Sequence, residues 1–150
     1  MFGEQMKYVI VYWSRYGNGK KLVERLAEKL RTKKAEIKLL TPDEADPTAM
    51  PTADVYVFSA AVEMMNLQKN MRKFMKKLKG MDGKKYGIIN TYGMKKDRLD
   101  KMEKILFKKK MEKIAGIGFK VEGDGVQTGN GLMTGWETLV DEFAGKLEHQ

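Results

Sequence analysis

The sequence of 150 residues contains no cysteine, only one histidine and only three prolines. The absence of cysteine excludes disulfide bonds, thiolate metal sites and cysteine nucleophiles. The single histidine, His149, lies next to the C-terminal residue. Few side chains therefore remain that could carry out catalysis without a cofactor.

Long apolar segments are also missing. No apolar run approaches the roughly 20 residues that a membrane-spanning helix needs. The N-terminus lacks the basic and then apolar layout of a secretion signal. We therefore expect a cytoplasmic protein that does not insert into a membrane.

Positive charge is abundant and unevenly placed. The net charge is +9, and the segment from Lys69 to Lys113 contains 17 lysines and arginines against 5 acidic residues. Such a surface attracts acidic proteins, nucleic acid or anionic membranes, or it is simply a solvated lysine-rich helix surface. The segment contains no recognised groove-reading motif, which favours an acidic protein partner over nucleic acid.

Strand-type and helix-type patterns alternate along the chain. Apolar and β-branched runs typical of buried strands occur at residues 7–13, 37–40, 54–59, 86–91 and 117–121. Apolar residues at helical spacing occur at residues 22–30, 67–78, 95–111 and 136–147. Capping-box spacings at 41–44 and 134–137 predict a short helix that Pro47 ends and the start of the last helix. Because strands and helices alternate, we expect one α/β domain over residues 1–150 with a five-stranded parallel sheet.

Most of the 12 methionines fall on the apolar stripes of these segments. Core packing is the ordinary role of methionine at such positions. We therefore predict core positions and no methionine ligand site.

Ligands of an open parallel sheet bind beyond the carboxyl ends of its strands. The loops to inspect are therefore Ser14 to Gly19, Ser59 to Asn66 and Asn90 to Lys95. In the first of them, free backbone N–H groups and the dipole of the following helix converge on one point. Ser14 and Asn18 would add side-chain donors, and the glycines allow close approach of the backbone. The loop predicts a phosphate-sized anion site, and the alternative is a tight turn without a ligand.

Two other phosphate motifs are absent from this loop. A nucleotide P-loop needs Gly-x4-Gly-Lys-Ser/Thr, but Ser14 stands at the first glycine and Lys21 at the hydroxyl position. A dinucleotide fingerprint needs three glycines, and the turn has only Gly17 and Gly19. A phosphorelay receiver would need an acidic cluster at the strand ends, where this chain has Trp13-Ser14-Arg15 and Phe58-Ser59-Ala60. These three classes are disfavoured.

The run VYWSRYGNGKKLVERLAEKL resembles the first strand, phosphate loop and first helix of flavodoxins. DVYVFSAAVEMMNLQKNMRKFMKKLKGMDGKK is similar to the third strand, first flavin-flanking loop and next helix of that family, and YGIINTYGM to its fourth strand and second flavin loop. The resemblance implies a three-layer α/β/α sandwich with the parallel strands in the order 2-1-3-4-5. It also implies FMN as the cofactor.

Carried over to this chain, the resemblance assigns FMN contacts to three loops. The cofactor-binding residues it implies are Ser14, Arg15, Tyr16, Gly17, Asn18, Gly19, Ala61, Val62, Glu63, Met64, Thr91, Tyr92 and Gly93. Tyr92 is the candidate to stack on the flavin ring, while Trp13 and Tyr16 are expected to be packing residues. The flavin would carry the redox chemistry. The implied function is an electron carrier, or a flavin-dependent oxidoreductase acting on a quinone-like or porphyrin-like substrate, with an acidic redox partner.

The chain departs from the family pattern at three points. Gly19 stands where the phosphate loop usually ends in a hydroxyl residue. Glu63 and Met65 stand in a loop where the family usually has an aromatic and a glycine, and Met65 would hinder a positive φ. The strong basic charge is the third departure. An alternative function follows, in which the domain has lost flavin and uses its basic helices as a protein-interaction module.

Overall fold

The structure is a computed structural model that describes residues 5–94 and 96–149. These residues form six strands: β1 (Lys7–Tyr12), β2 (Glu36–Leu40), β3 (Val55–Glu63), β4 (Asn66–Leu67), β5 (Lys85–Tyr92) and β6 (Glu112–Lys120). The α-helices are α1 (Asn18–Arg31), α2 (Lys69–Lys77), α3 (Leu99–Lys108) and α4 (Trp136–Glu148). A 3₁₀ turn covers Val126–Thr128.

Five strands form a parallel sheet in the order β2-β1-β3-β5-β6. This order is the predicted 2-1-3-4-5 once the short strand β4, which pairs antiparallel with the end of β3, is set aside. The register places Ile10 beside Val57, and Phe58 beside Ile88. The central strands are buried on both faces, as their nearly continuous apolar sequences predict.

Two apolar clusters cover the two faces of the sheet. One contains side chains of α2 and α3, among them Met71, Phe74 and Leu106. The other contains side chains of α1 and α4, among them Leu26 and Phe143. The result is the predicted α/β/α sandwich. In the part of the chain that the structure describes, no helix is long and apolar enough to cross a membrane.

The capping box at residues 41–44 does not begin a helix, contrary to the prediction. Residues 41–50 form turns, although the Thr41 amide donates to the Glu44 carboxylate at 2.9 Å as the motif requires. Asp46 then accepts hydrogen bonds from the amide and hydroxyl of Thr48, which holds a second turn. With Pro47 between them, the segment has no room for a helical turn.

The last helix also begins differently from the prediction. Gly135, with φ of 94°, precedes α4, and no side chain in the described part of the chain caps the first turn. A left-handed residue at this position directs the chain away from the geometry that a capping box needs. Leu139, which belongs to the apolar spacing predicted over residues 136–147, is exposed, and the buried residues of α4 are Val140, Phe143, Ala144 and Leu147.

Helix α3 is shorter than the predicted 95–111. It begins at Leu99, because the Asn90 side chain accepts a hydrogen bond from the Arg98 amide at 2.7 Å and Asp97 accepts one from the Leu99 amide at 3.2 Å. The predicted start at Lys95 lies outside the described residues. The residues after α3 enter β6 early, so that strand is longer than predicted.

Candidate functional site

The three predicted loops meet at the carboxyl edge of the sheet. Strand order reverses between β1 and β3, which lie side by side while their connections run in opposite directions. A cavity of about 170 Å³ lies there. Its walls include 11 of the 13 predicted binding residues: Ser14, Arg15, Tyr16, Asn18, Gly19, Ala61, Val62, Glu63, Thr91, Tyr92 and Gly93. Gly17 and Met64 lie outside the walls.

The turn before α1 presents free backbone donors. Among the described residues, the amides of Arg15, Tyr16, Asn18, Gly19 and Lys20 have no hydrogen-bond acceptor. Gly17 makes the turn at φ of 103°, and its amide donates to the Ser14 hydroxyl at 3.1 Å. Free amides at the positive end of a helix dipole favour an anion. The local geometry therefore suits a phosphate group.

Asn18 has a different role from the predicted one. Its side chain is 6% exposed, and its amide group donates to the Val126 carbonyl at 2.8 Å. Its side-chain oxygen accepts a hydrogen bond from the Gly131 amide at 2.9 Å. Both polar atoms of Asn18 thus contact the Gly-rich loop before α4 (residues 123–135), and these two hydrogen bonds orient the side chain toward that loop.

The Gly-rich loop is a part of the site that sequence reasoning missed. Lys21 reaches it through a 2.7 Å hydrogen bond to Asn130. Gly129 approaches the turn of residues 14–19 so closely that a Cβ there would lie 2.9 Å from the Tyr16 carbonyl oxygen. Val121 and Val126 line the cavity. The run of glycines in this loop was the available signal for a close backbone approach.

The second predicted loop is mostly strand. Residues 60–63 continue β3 beyond its predicted end, because Ala61 pairs with Thr91 and Val62 pairs with Leu67 of β4. Gln68, which sequence reasoning also missed, is 1% exposed and accepts a hydrogen bond from the Ala61 amide at 2.8 Å.

An ion pair joins two walls of the cavity. The Arg15 guanidinium contacts both carboxylate oxygens of Glu63, at 2.6 and 3.0 Å. These hydrogen bonds, with a weaker one from Gln68, hold the pKa of the Glu63 carboxyl below its ordinary value. Glu63 is therefore ionised at neutral pH. The ion pair therefore joins the turn of residues 14–19 to the end of β3.

Met64 and Met65 form the tip of the hairpin between β3 and β4. Their φ angles are 50° and 67°, and their exposures are 98% and 68%. The expected obstacle at Met65 thus does not prevent a positive φ, although each such residue costs about 1 kcal/mol or more. Arg98 donates to the Met65 carbonyl at 3.0 Å and helps to hold this conformation.

Replacing Met64 by asparagine and Met65 by glycine (M64N/M65G) is expected to stabilise the fold by about 1–2 kcal/mol. Asparagine followed by glycine is the pair that a two-residue hairpin turn with two positive φ angles prefers. The midpoint of urea unfolding measures the effect. The control is M94N, at another exposed methionine without a positive φ. Equal urea midpoints for the double variant and the parent chain would show that the positive φ angles of Met64 and Met65 do not destabilise the fold.

The exposed methionines partly contradict the prediction of core packing. Met71, Met75, Met81, Met102 and Met111 are buried. Of the seven exposed large apolar residues among those described, five lie on the loops that follow the parallel strands: Tyr16, Met64, Met65, Met94 and Met133. We call these five the apolar rim.

Three aromatic side chains border the cavity. Tyr92 is half-buried at the end of β5, and Trp13 lines the cavity while packing against the core. Tyr16 is 45% exposed rather than packed, contrary to expectation. Tyr16 and Tyr92 are therefore two partly exposed aromatic residues in the cavity wall.

The fold and the site together define a class. They describe a doubly wound α/β domain with free backbone amides at its topological switch point. A family model described as a flavodoxin domain matches residues 9–121, and the chain belongs to the flavodoxin family.

Solved structures agree with this fold. Flavodoxin 1 from Bacillus cereus is 15% identical with a TM-score of 0.75, over 96% of this chain and 99% of that one. A flavodoxin from the domain Archaea is 19% identical with a TM-score of 0.70, over 96% and 100%. Rubredoxin oxygen:oxidoreductase from Desulfovibrio gigas is 16% identical with a TM-score of 0.78, over 95% of this chain and 35% of that one. No curated protein sequence matches the chain.

Proposed function

We propose that this chain binds FMN at the carboxyl edge of its sheet and transfers electrons to and from an acidic partner protein. The observation that carries the proposal is the row of unpaired amides at residues 15, 16, 18, 19 and 20 beside a cavity walled by Tyr92. Membership of the flavodoxin family supports the same cofactor. The bound flavin would supply the electron-accepting group.

The residues fit the phosphate end of FMN. The amides would donate to phosphate oxygens, and Lys20 and Arg15 lie on the same turn and add positive charge. At Gly19 a Cβ would meet Ser14 atoms no closer than 3.5 Å, so the turn has room for the hydroxyl-bearing side chain that usually stands there in the family. Tyr16 and Tyr92 would flank the ring.

The cavity is small. Its volume of about 170 Å³ is below the roughly 300–1,000 Å³ of ordinary ligand pockets. The Arg15–Glu63 pair joins the phosphate loop to the end of β3, two of the cavity walls. We infer that this pair separates when the ring enters, which releases the Arg15 guanidinium toward the phosphate.

Titration of purified protein into FMN tests the proposal. Binding is expected to quench the fluorescence of FMN, and to move the amide resonances of residues 15–20. Inorganic phosphate alone should move the same resonances at higher concentration. Unchanged FMN fluorescence, together with unmoved amides, would contradict the proposal.

The variant E63Q is expected to bind FMN about three- to tenfold more tightly than the parent chain. Glutamine removes a carboxylate close to the anion site and frees Arg15 from a charge-assisted pair. The FMN dissociation constant measures the effect. E24Q removes an exposed carboxylate from α1 and is the control, expected to change nothing. Weaker binding by E63Q would show that Glu63 contacts the ligand favourably.

A second candidate function is a flavin-free interaction module. The observation that favours it is a cluster of cations on α2 and α3 that form no ion pair with a described residue. It predicts a colourless protein that leaves FMN fluorescence unchanged and still binds an acidic partner with steep salt dependence. The FMN titration therefore separates the two functions.

A further inference from the structure

Helices α2 and α3 enclose a groove lined by cations. Its volume is about 390 Å³, and Ile105 is the apolar residue in its wall. The six other lining residues are all basic: Arg72 and Lys76 on α2, and Lys101, Lys104, Lys108 and Lys109 at α3. The segment from Lys69 to Lys113 thus concentrates part of its charge in a concave site rather than spreading it over a convex face.

The charges in this groove have no counter-charge within the described part of the chain. None of the six cations forms an ion pair with a described residue. The sequence of α2 contains no acidic residue. The two acidic residues of α3 are engaged elsewhere, Asp100 with Arg98 and Glu103 with Lys113. An anionic ligand would therefore meet the full positive charge without competing with an internal carboxylate.

Lysines at the two ends of the groove form hydrogen bonds, whereas the lysines between them have no partner among the described residues. At one end, Lys101 donates to the Asn66 side chain at 3.0 Å. At the other end, Lys109 donates to the Lys76 carbonyl at 2.6 Å. Between them, the ammonium groups of Lys76, Lys104 and Lys108 have no hydrogen-bond partner among the described residues. Three unpaired cations from two helices thus face one narrow channel.

The groove leads to the candidate site. Asn66, which anchors Lys101, follows directly after Met65 at the hairpin tip. Arg72 lies within 3.5 Å of the Leu67 carbonyl, at the base of the same hairpin. A partner seated in the groove would therefore have one end beside the apolar rim.

We propose that the groove between α2 and α3 is a docking site for an acidic segment of a partner protein. Among the described residues, no aromatic side chain lines it, so bases of a nucleic acid would find no stacking surface there. Five of the six cations are lysines. Lysine acts as a point charge and lacks the planar guanidinium group with which arginine forms two parallel hydrogen bonds to phosphate. A row of carboxylates with aliphatic stems matches three ammonium groups above Ile105. The redox role of the partner rests on the proposed function, whereas the docking site does not.

The test measures binding of a labelled deca-glutamate peptide to the full chain by fluorescence anisotropy. We expect binding that weakens steeply as salt rises. The variant K104E/K108E should bind the peptide at least about tenfold more weakly, because two attractions become repulsions. The control K33E/K38E makes the same change of net charge at exposed lysines near the opposite edge of the sheet and should leave binding unchanged.

Further arms separate this docking site from the flavin site and from other anions. K104E/K108E should quench FMN as the parent chain does, and S14D should bind the peptide normally. Equal loss of peptide binding in K104E/K108E and K33E/K38E would overturn the assignment of the groove as the docking site, since net charge alone would then explain the binding. Tighter groove-dependent binding of deca-thymidylate, or of vesicles containing phosphatidylserine, would overturn the assignment to an acidic protein.

Discussion

Replacing Ser14 by aspartate is expected to abolish FMN binding while the fold survives. A carboxylate at this position would face the phosphate across the turn of free amides. At an effective dielectric constant of about 20, two unit charges about 4 Å apart repel by about 4 kcal/mol, which corresponds to roughly a thousandfold loss of affinity. Titration of FMN fluorescence measures the loss.

The structure explains why the fold should tolerate this change. The Ser14 hydroxyl accepts a hydrogen bond from the Gly17 amide at 3.1 Å. An aspartate oxygen accepts such a bond equally well, as it does in Asx turns. The urea midpoint of S14D without FMN should therefore stay close to that of the parent chain.

The matched control is S14N. Asparagine has the shape of aspartate and the same ability to accept the Gly17 hydrogen bond, but it carries no charge. We expect its FMN affinity to lie within a few-fold of the parent chain. If S14N and S14D lose affinity equally, the cause is shape rather than charge, and the anion would bind elsewhere.

The alternation of patterns predicted the sheet and its helices because the central strands are covered on both faces. Val9, Val57 and Ile88 are buried as their apolar runs predict. The three loops of the site followed from the topology, since parallel strands bring their carboxyl ends to one edge. These predictions depend only on local sequence periods and on the handedness of crossovers.

The contacts inside the site depend on partners distant in sequence. The position of Asn18 in the turn predicted that its side chain would donate to an anion. The side chain instead donates a hydrogen bond to the carbonyl of Val126, 108 residues further along the chain. The hairpin at Met64 and Met65 has no glycine or asparagine at its tip, so its turn type has no signal in the sequence. The cation groove needs two helices side by side, which a charge count along one segment does not show.

Replacing Gly129 by alanine is expected to weaken both the fold and FMN binding. Gly129 has φ of 80°, and a Cβ there would lie 2.9 Å from the Tyr16 carbonyl oxygen and 3.6 Å from the Gly17 Cα. Backbone atoms cannot move aside without shifting the turn that holds the free amides. We expect a cost of about 2–4 kcal/mol from positive φ and steric overlap together, and at least about a tenfold weaker FMN affinity.

The variant G123A isolates the steric part of this effect. Gly123 lies in the same loop with φ of 83°, but a Cβ there would meet no atom within 4 Å. Its cost should be about 1 kcal/mol from the positive φ alone, with FMN affinity unchanged. Urea unfolding and FMN titration of both variants measure the difference. If G129A bound FMN as tightly as G123A does, the phosphate loop would not depend on the close contact between Gly129 and Tyr16, and the Gly-rich loop would have no part in shaping the site.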